Sequence, residues 1–217
     1  EDGVTDEVEI YGAADLADYV PEEFWPVTDP TSPLINNNYT FRGGMLFDGA
    51  GDYLEVPNQT KYALASWTIE AMIKLTAATD GGIIIRRAVD NKSATPFASA
   101  TETLNYELGI DADGKLYVKF GDEAGVVNTL SSPEAIATDR WVQVSGSFDD
   151  ITKAFALSVD GFVVAGDTLL DVESPSFGNE VAEVTFGNAF EGAIDEVAVY
   201  GSEPSGASGG LIAHFTF

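Results

Sequence analysis

The stretch Trp67–Leu75 constrains this chain more than any other. Trp67, Ile69, Ala71, Ile73 and Leu75 share one face of an extended backbone, and Thr68, Glu70, Met72 and Lys74 share the other. Helical spacing would mix the two sets, so the segment is predicted to be a strand buried on one side. Such a strand needs a sheet around it, and the sequence supplies further short extended runs. These are Met45–Asp48, Tyr53–Val56, Gly82–Arg87, Leu104–Ile110, Lys115–Phe120, Val126–Leu130, Trp141–Phe148, Lys153–Val159, Phe162–Ala165, Val181–Phe186 and Ala193–Tyr200. Tight turns separate several of them: Gly49-Ala50-Gly51-Asp52, Asp111-Ala112-Asp113-Gly114 and Asp160-Gly161. Ser131–Asp139 reads as a loop. Many short strands with little helix predict an all-β fold, an antiparallel β-sandwich, rather than α/β.

The first 43 residues differ. Asp6–Tyr11 has the pattern of a short strand and Ala13–Val20 that of two helical turns ended by Pro21, after which Pro26, Pro30 and Pro33 forbid regular structure. Phe24 and Trp25, set among acids, read as an anchor on the chain's own domain or on a neighbour. The expected organisation is therefore an extension over 1–43, a main domain over 44–200, and a Gly/Ser linker with a terminal strand over 201–217.

With 217 residues and 45% hydrophobic content, the chain can bury a sizeable core. Its formal charge of -26 disfavours nucleic acid and anionic membranes as partners and favours cations. The bland role of that charge is solubility in salty water; the sharper one is that some carboxylates collect divalent metal. There is no cysteine, and no stretch is apolar enough to insert into a membrane. A start at Glu1 suits a mature secreted chain, and the sequons at Asn38, Asn58 and Asn91 are candidate glycosylation sites for an extracellular protein.

Six phrases occur in an order that resembles the laminin-G-like and concanavalin-A-like jelly rolls. They are Leu46-Phe47-Asp48-Gly49-Ala50-Gly51-Asp52-Tyr53-Leu54-Glu55-Val56, Trp67-Thr68-Ile69-Glu70-Ala71, Tyr106-Glu107-Leu108 leading to Gly114-Lys115-Leu116, Trp141-Val142-Gln143-Val144 through Phe148-Asp149, Leu157-Ser158-Val159-Asp160-Gly161, and Phe190-Glu191-Gly192-Ala193-Ile194-Asp195-Glu196-Val197. The resemblance implies a jelly roll. It leaves function open, because that sandwich carries lectins, adhesion modules, pentraxin-like oligomers and glycosidases.

One departure from the pattern is informative. The family opens with an apolar-apolar-Ala-aromatic-x-Phe strand that pairs with the closing Ile-Asp-Glu-Val strand, and nothing before Gly44 matches it. The chain instead ends Gly210-Leu211-Ile212-Ala213-His214-Phe215-Thr216-Phe217, with Leu211, Ala213, Phe215 and Phe217 on one face. This strand either folds back beside Ala193–Tyr200, a circular permutation, or fills the vacant slot of the next molecule and assembles copies head to tail.

Catalytic patterns are missing. The glycosidase arrangement of alternate carboxylates on a strand is not met by Asp195, Glu196 and Glu191. The single histidine, His214, has no motif around it that would make a triad, and no phosphate loop or zinc cluster occurs. Alternation puts Asp195 on the side of Val197 and Val199, where a carboxylate needs N–H donors or a cation. The resemblance implies calcium near Asp48, Asp52 and Asp195; the alternative is that Asp48 and Asp52 accept N–H bonds within their turn. Trp67 and Trp141 are expected to be buried, which leaves Tyr53, Tyr62 and Trp25 as possible sugar platforms. The leading expectation is a secreted, non-catalytic surface protein that works by contact with itself or another surface protein through its terminal strand. A calcium-assisted glycan-binding module is the alternative.

Overall fold

A computed structural model of the chain describes residues 9–11, 44–77, 79–89, 103–177, 182–202 and 210–217. In chain order the strands are β1 (Glu9–Tyr11), β2 (Met45–Asp48), β3 (Tyr53–Val56), β4 (Ser66–Lys74), β5 (Gly82–Ala88), β6 (Leu104–Ile110) and β7 (Lys115–Gly121). They continue with β8 (Val127–Ala135), β9 (Trp141–Phe148), β10 (Ala154–Val159), β11 (Phe162–Thr168), β12 (Glu183–Phe186), β13 (Glu191–Ser202) and β14 (Gly210–Phe215). One sheet runs β1-β3-β12-β5-β6-β7-β8 and the other β11-β10-β9-β4-β13-β14, with β2 also on β13. The described residues contain no α-helix, and every strand pairing is antiparallel. The chain crosses between sheets repeatedly, so β13 lies beside β4 and β12 beside β3 and β5, as in a jelly roll.

The alternation in Trp67–Leu75 builds the centre. Trp67 packs against Tyr106, Phe120, Phe148 and Phe155 with ring centroids 6.0 to 6.4 Å apart, and Phe120 meets Phe148 at 4.3 Å. Edge-to-face and tilted contacts of this kind add to the burial of the rings themselves. The predicted turns form for the predicted reasons. Asp111 Oδ1 accepts the N–H groups of Asp113 and Lys115, and Asp160 and Gly161 both take the positive φ of a tight hairpin.

The loop expected at Ser131–Asp139 is in part strand, since β8 continues through Pro133 to Ala135. Pro133 is tolerated because β8 is an edge strand and its register against β7 shifts at that point. The expected helix at Ala13–Val20, the Phe24–Trp25 anchor, Asn38 and Asn91 lie outside the described residues. Asn58 is described: it is partly buried and accepts an Arg87 N–H at 3.4 Å.

The terminal strand lies in its own subunit. β14 pairs with β13 from Val197↔Phe215 to Gly201↔Gly210, while β2 pairs with the same edge of β13 from Ile194↔Met45 to Glu191↔Asp48. The two short strands therefore lie end to end along one long strand, with Asp195 and Glu196 facing the gap between them. Phe215 packs on Phe186 at 4.9 Å and Phe217 on the same ring at 6.0 Å, so the slot's core side is filled.

The predicted side for Asp195 is corrected by a bulge. Ile194 and Val197 both enter the core, and Glu196 between them adopts φ 50°. Two residues rather than one separate the inward positions, so Asp195 leaves the face of Val197 and Val199 and sits opposite Met72.

Candidate functional site

The three acids named as calcium candidates do not converge. Asp48 is exposed at the end of β2, where its Oδ1 accepts the Ala50 N–H at 2.7 Å within the turn, and the register sets it opposite Glu191. Asp52 is buried just before β3. Asp195 lies four residues along β13 from Glu191, about 13 Å by strand rise, whereas ligands of one calcium stand 2.3–2.6 Å from it, by roughly those general values. Among the described residues no group of three or more His, Asp or Glu side chains is placed to hold a metal ion. These acids therefore do not fit a single calcium cage.

Asp195 has another occupation. Its Oδ1 accepts the Phe217 N–H at 2.6 Å, and the Glu196 N–H also reaches it. Burial pushes its pKa up to about 6, and these two N–H bonds only partly offset that rise. Next to it, His214 Nε2 lies 2.5 Å from Glu196 Oε2. The gap between β2 and β14 is thus closed by polar contacts to the chain's own tail, and Gly44 fits there because a Cβ would meet Trp141 and the Ile194 carbonyl.

A second charged cluster is sealed inside the molecule. Arg86 Nε lies 2.7 Å from Glu107 Oε2, and both side chains are fully buried. Tyr117 is beside them; burial first, and then the Glu107 charge, push its pKa well above the ordinary value. No exposed ligand reaches groups so covered.

The open polar surface is the outer face of the sheet that contains β4. Register across the strands sets two adjacent rows. One reads Val163, Ser158, Ser145, Glu70, Ala198, His214, and the next Gly166, Ala156, Ser147, Thr68, Tyr200, Leu211. Apart from Glu70, the middle of each row is short, being Ser, Ala and Thr, and Tyr200, Leu211 and His214 stand taller on one flank. Glu70, Thr68, Ser145, Ser147, Ser158 and Tyr200 are all partly exposed. Among the described residues, their side chains make no hydrogen bond or ion pair. Partial burial raises the Glu70 pKa, and burial together with the Glu70 charge raises that of Tyr200, so the two groups sense each other. A sheltered carboxylate, a tyrosine and four uncommitted hydroxyls on one rigid sheet are the groups that grip polyhydroxylated ligands.

The expected sugar platforms fare differently. Tyr62 is fully buried, Tyr53 is partly buried on β3, and Trp25 lies outside the described residues. Trp67 is buried between the sheets as expected. Trp141 is buried too, but in a separate small cluster with Met72 and Ala193 on the outer face, four residues along β4 from Glu70. The sequence does carry a signal for Glu70: an acid midway along the most regular strand, on its polar face. Its partners Tyr200, Ser145 and Ser147 come from distant strands and emerge only from the register.

Comparison with known proteins agrees with this architecture. The structure is similar to mouse laminin α1 chain domains LG4-5, with a TM-score of 0.54 and 15% identity over 76% of this chain and 46% of that one. It is also similar to tailspike protein 2 from Escherichia coli O157:H7 bacteriophage CAB120, with a TM-score of 0.55 and 16% identity over 91% and 28% of the two chains. The Ruminococcus gnavus IT-sialidase CBM40, solved bound to α2,3 sialyllactose, matches with a TM-score of 0.50 and 19% identity over 62% and 75%. The chain thus spans less than half the length of the first two. No curated protein sequence matches it significantly. The family model for the concanavalin A-like lectin/glucanases superfamily matches residues 48–208, from the Asp48 turn through all of β13. By that match and by its two-sheet jelly roll, the chain belongs to the concanavalin A-like lectin/glucanases superfamily.

Proposed function

We propose that this chain is an extracellular, non-catalytic glycan-binding module that uses the outer face of the β4 sheet. The observation that carries the reading is Glu70 flanked by Tyr200, Thr68, Ser145 and Ser147, none of which is hydrogen-bonded or ion-paired among the described residues. Sugar hydroxyls are both donors and acceptors, and this face offers both. Tyr200 adds an apolar ring surface on which a pyranose can lie. Membership of a superfamily that includes lectins supports the same reading.

Binding rather than hydrolysis is favoured by the carboxylate inventory. A glycosidase needs two carboxyl groups about 5 to 9.5 Å apart across the scissile bond. The nearest neighbours of Glu70 on this face are hydroxyl and methyl groups, and Asp195, one register position away, turns to Phe217. The binding is read as independent of calcium, since the candidate acids do not converge.

A glycan array probed with the wild-type chain, with and without chelator, tests this. Binding that survives chelation and is lost in Tyr200→Ala and Glu70→Ala is the expected result. Binding unaffected by both substitutions would remove the face from the function.

Protein contact is the second reading, and β11 favours it. This edge strand carries Phe162 and Val163 at 60% and 68% exposure. A molecular mass by light scattering that rises with concentration in the wild type, and not in Phe162→Ser, is its test.

A further inference from the structure

The groups on the glycan face specify a class of sugar as well as a surface. Glu70 is the only acidic side chain in the two rows, and the one other ionisable group besides Tyr200, His214, is held by Glu196 at 2.5 Å. No lysine or arginine stands in either row; Lys74 lies four residues along β4, beside Trp141 and Ala193. Among the described residues Glu70 itself has no ion-pair partner. A carboxylate partly withdrawn from water gains most from a donor that also carries positive charge. A formal charge of -26 on the chain attracts such a ligand and repels an anionic one.

We propose that this face selects sugars with a free ammonium group, of the β-linked glucosamine type. The inference rests on the glycan-binding reading above. The ammonium pairs with Glu70 and lies against the Tyr200 ring, which favours a cation over its face. Ring hydroxyls reach Thr68, Ser145 and Ser147. Uronic, sialic and sulfated sugars meet an unscreened carboxylate with no cation to answer their own charge, so the same face rejects them.

Two probes that differ only at the nitrogen decide the matter: a β1,4-linked glucosamine tetramer and its fully N-acetylated counterpart. Calorimetric titration at an ionic strength of about 0.15 M, where the Debye length is roughly 8 Å, suppresses general attraction to the acidic surface. The free-amine tetramer is expected to bind at least about tenfold more tightly, equivalent to roughly 1.4 kcal/mol. Glu70→Gln should abolish that preference by weakening the free-amine tetramer more than the acetylated one, with the melting temperature unchanged, and Glu70→Asp should restore part of it.

Equal affinity for the two tetramers, both weakened by Tyr200→Ala, would overturn amine selection and leave glycan binding standing. Amine binding as tight in Glu70→Gln as in the wild type would also overturn it, since that would be adsorption to overall charge. Absence of binding to either tetramer and to every sugar on an array would remove both readings together.

Discussion

Replacing Asp195 by Asn isolates the contact that joins the tail to the sheet. The carboxylate is buried at the gap between β2 and β14, and its folded pKa of about 6 stands above the ordinary 3.8. The native state therefore holds this proton more firmly than the unfolded chain does between about pH 4 and pH 6. Unfolding free energy then falls as pH rises through that window, because ionising the group is harder in the folded protein. At roughly 1.4 kcal/mol per pH unit, the shift amounts to at most about 3 kcal/mol. Asn cannot ionise, yet its Oδ1 still accepts the Phe217 N–H. From pH 4 to pH 7 the stability of Asp195→Asn should therefore improve relative to wild type by up to about 3 kcal/mol, or roughly 6–12 °C for a domain of this size. Thermal melts of both proteins at pH 4, 5, 6 and 7 measure the difference, and subtracting one curve from the other cancels the other carboxylates of this acidic chain. Parallel curves would refute the burial argument. A variant that is less stable at pH 7, together with a wild type that loses stability on chelation, would show Asp195 serving a cation instead.

The remaining predictions concern packing. Phe215→Ala should cost about 3 kcal/mol in urea denaturation, the low end for a buried aromatic because the residue lies on an edge strand, whereas exposed Leu211→Ser should stay within about 0.5 kcal/mol. Glu107→Ala, which removes the carboxylate paired with buried Arg86, should cost about 3–5 kcal/mol, while the double change Arg86→Met with Glu107→Leu should recover most of it. Gly187→Ala should cost at least about 2 kcal/mol, because φ is 74° and a Cβ would run into the Phe47 ring; a melting temperature equal to wild type would count against the local geometry.

Features that depend on near neighbours were legible in the sequence. The Asp111 and Asp160 turns are set within four residues, and the strand over Trp67–Leu75 announces its two faces by composition alone. The final strand was legible as well, since Ala213 and Phe215 alternate and follow a Gly/Ser run, but Leu211 was misplaced: the register shifts between Val199 and Tyr200, so Leu211 is exposed on the outer face opposite Tyr200 and Ile212 packs on the core instead. The strand's seat was not legible, because a slot in the same subunit and a slot in the next satisfy the same pattern. Asp195 was misplaced by strict alternation, which a single residue at positive φ, Glu196, is enough to break. Trp141 was expected to be buried and is, but its alternation against Val142 and Val144 turns it to the outer face, where Met72 and Ala193 surround it. The proposed binding face was the hardest to read. Glu70 and Tyr200 stand 130 positions apart in the chain, and only the β4–β13 pairing makes them neighbours.

The end-to-end seating of β14 and β2 has a practical meaning for anyone rewiring this chain. Because β14 runs toward Phe217 in the direction in which β2 leaves Gly44, splicing Gly210–Phe217 directly ahead of Gly44 and opening a new terminus after Ser202 would offer β13 the same ladder of partners. A cargo fused behind Phe217 therefore leaves beside Asp195, close to where β2 begins. Attachments at either place crowd the same corner, one register position from Glu70.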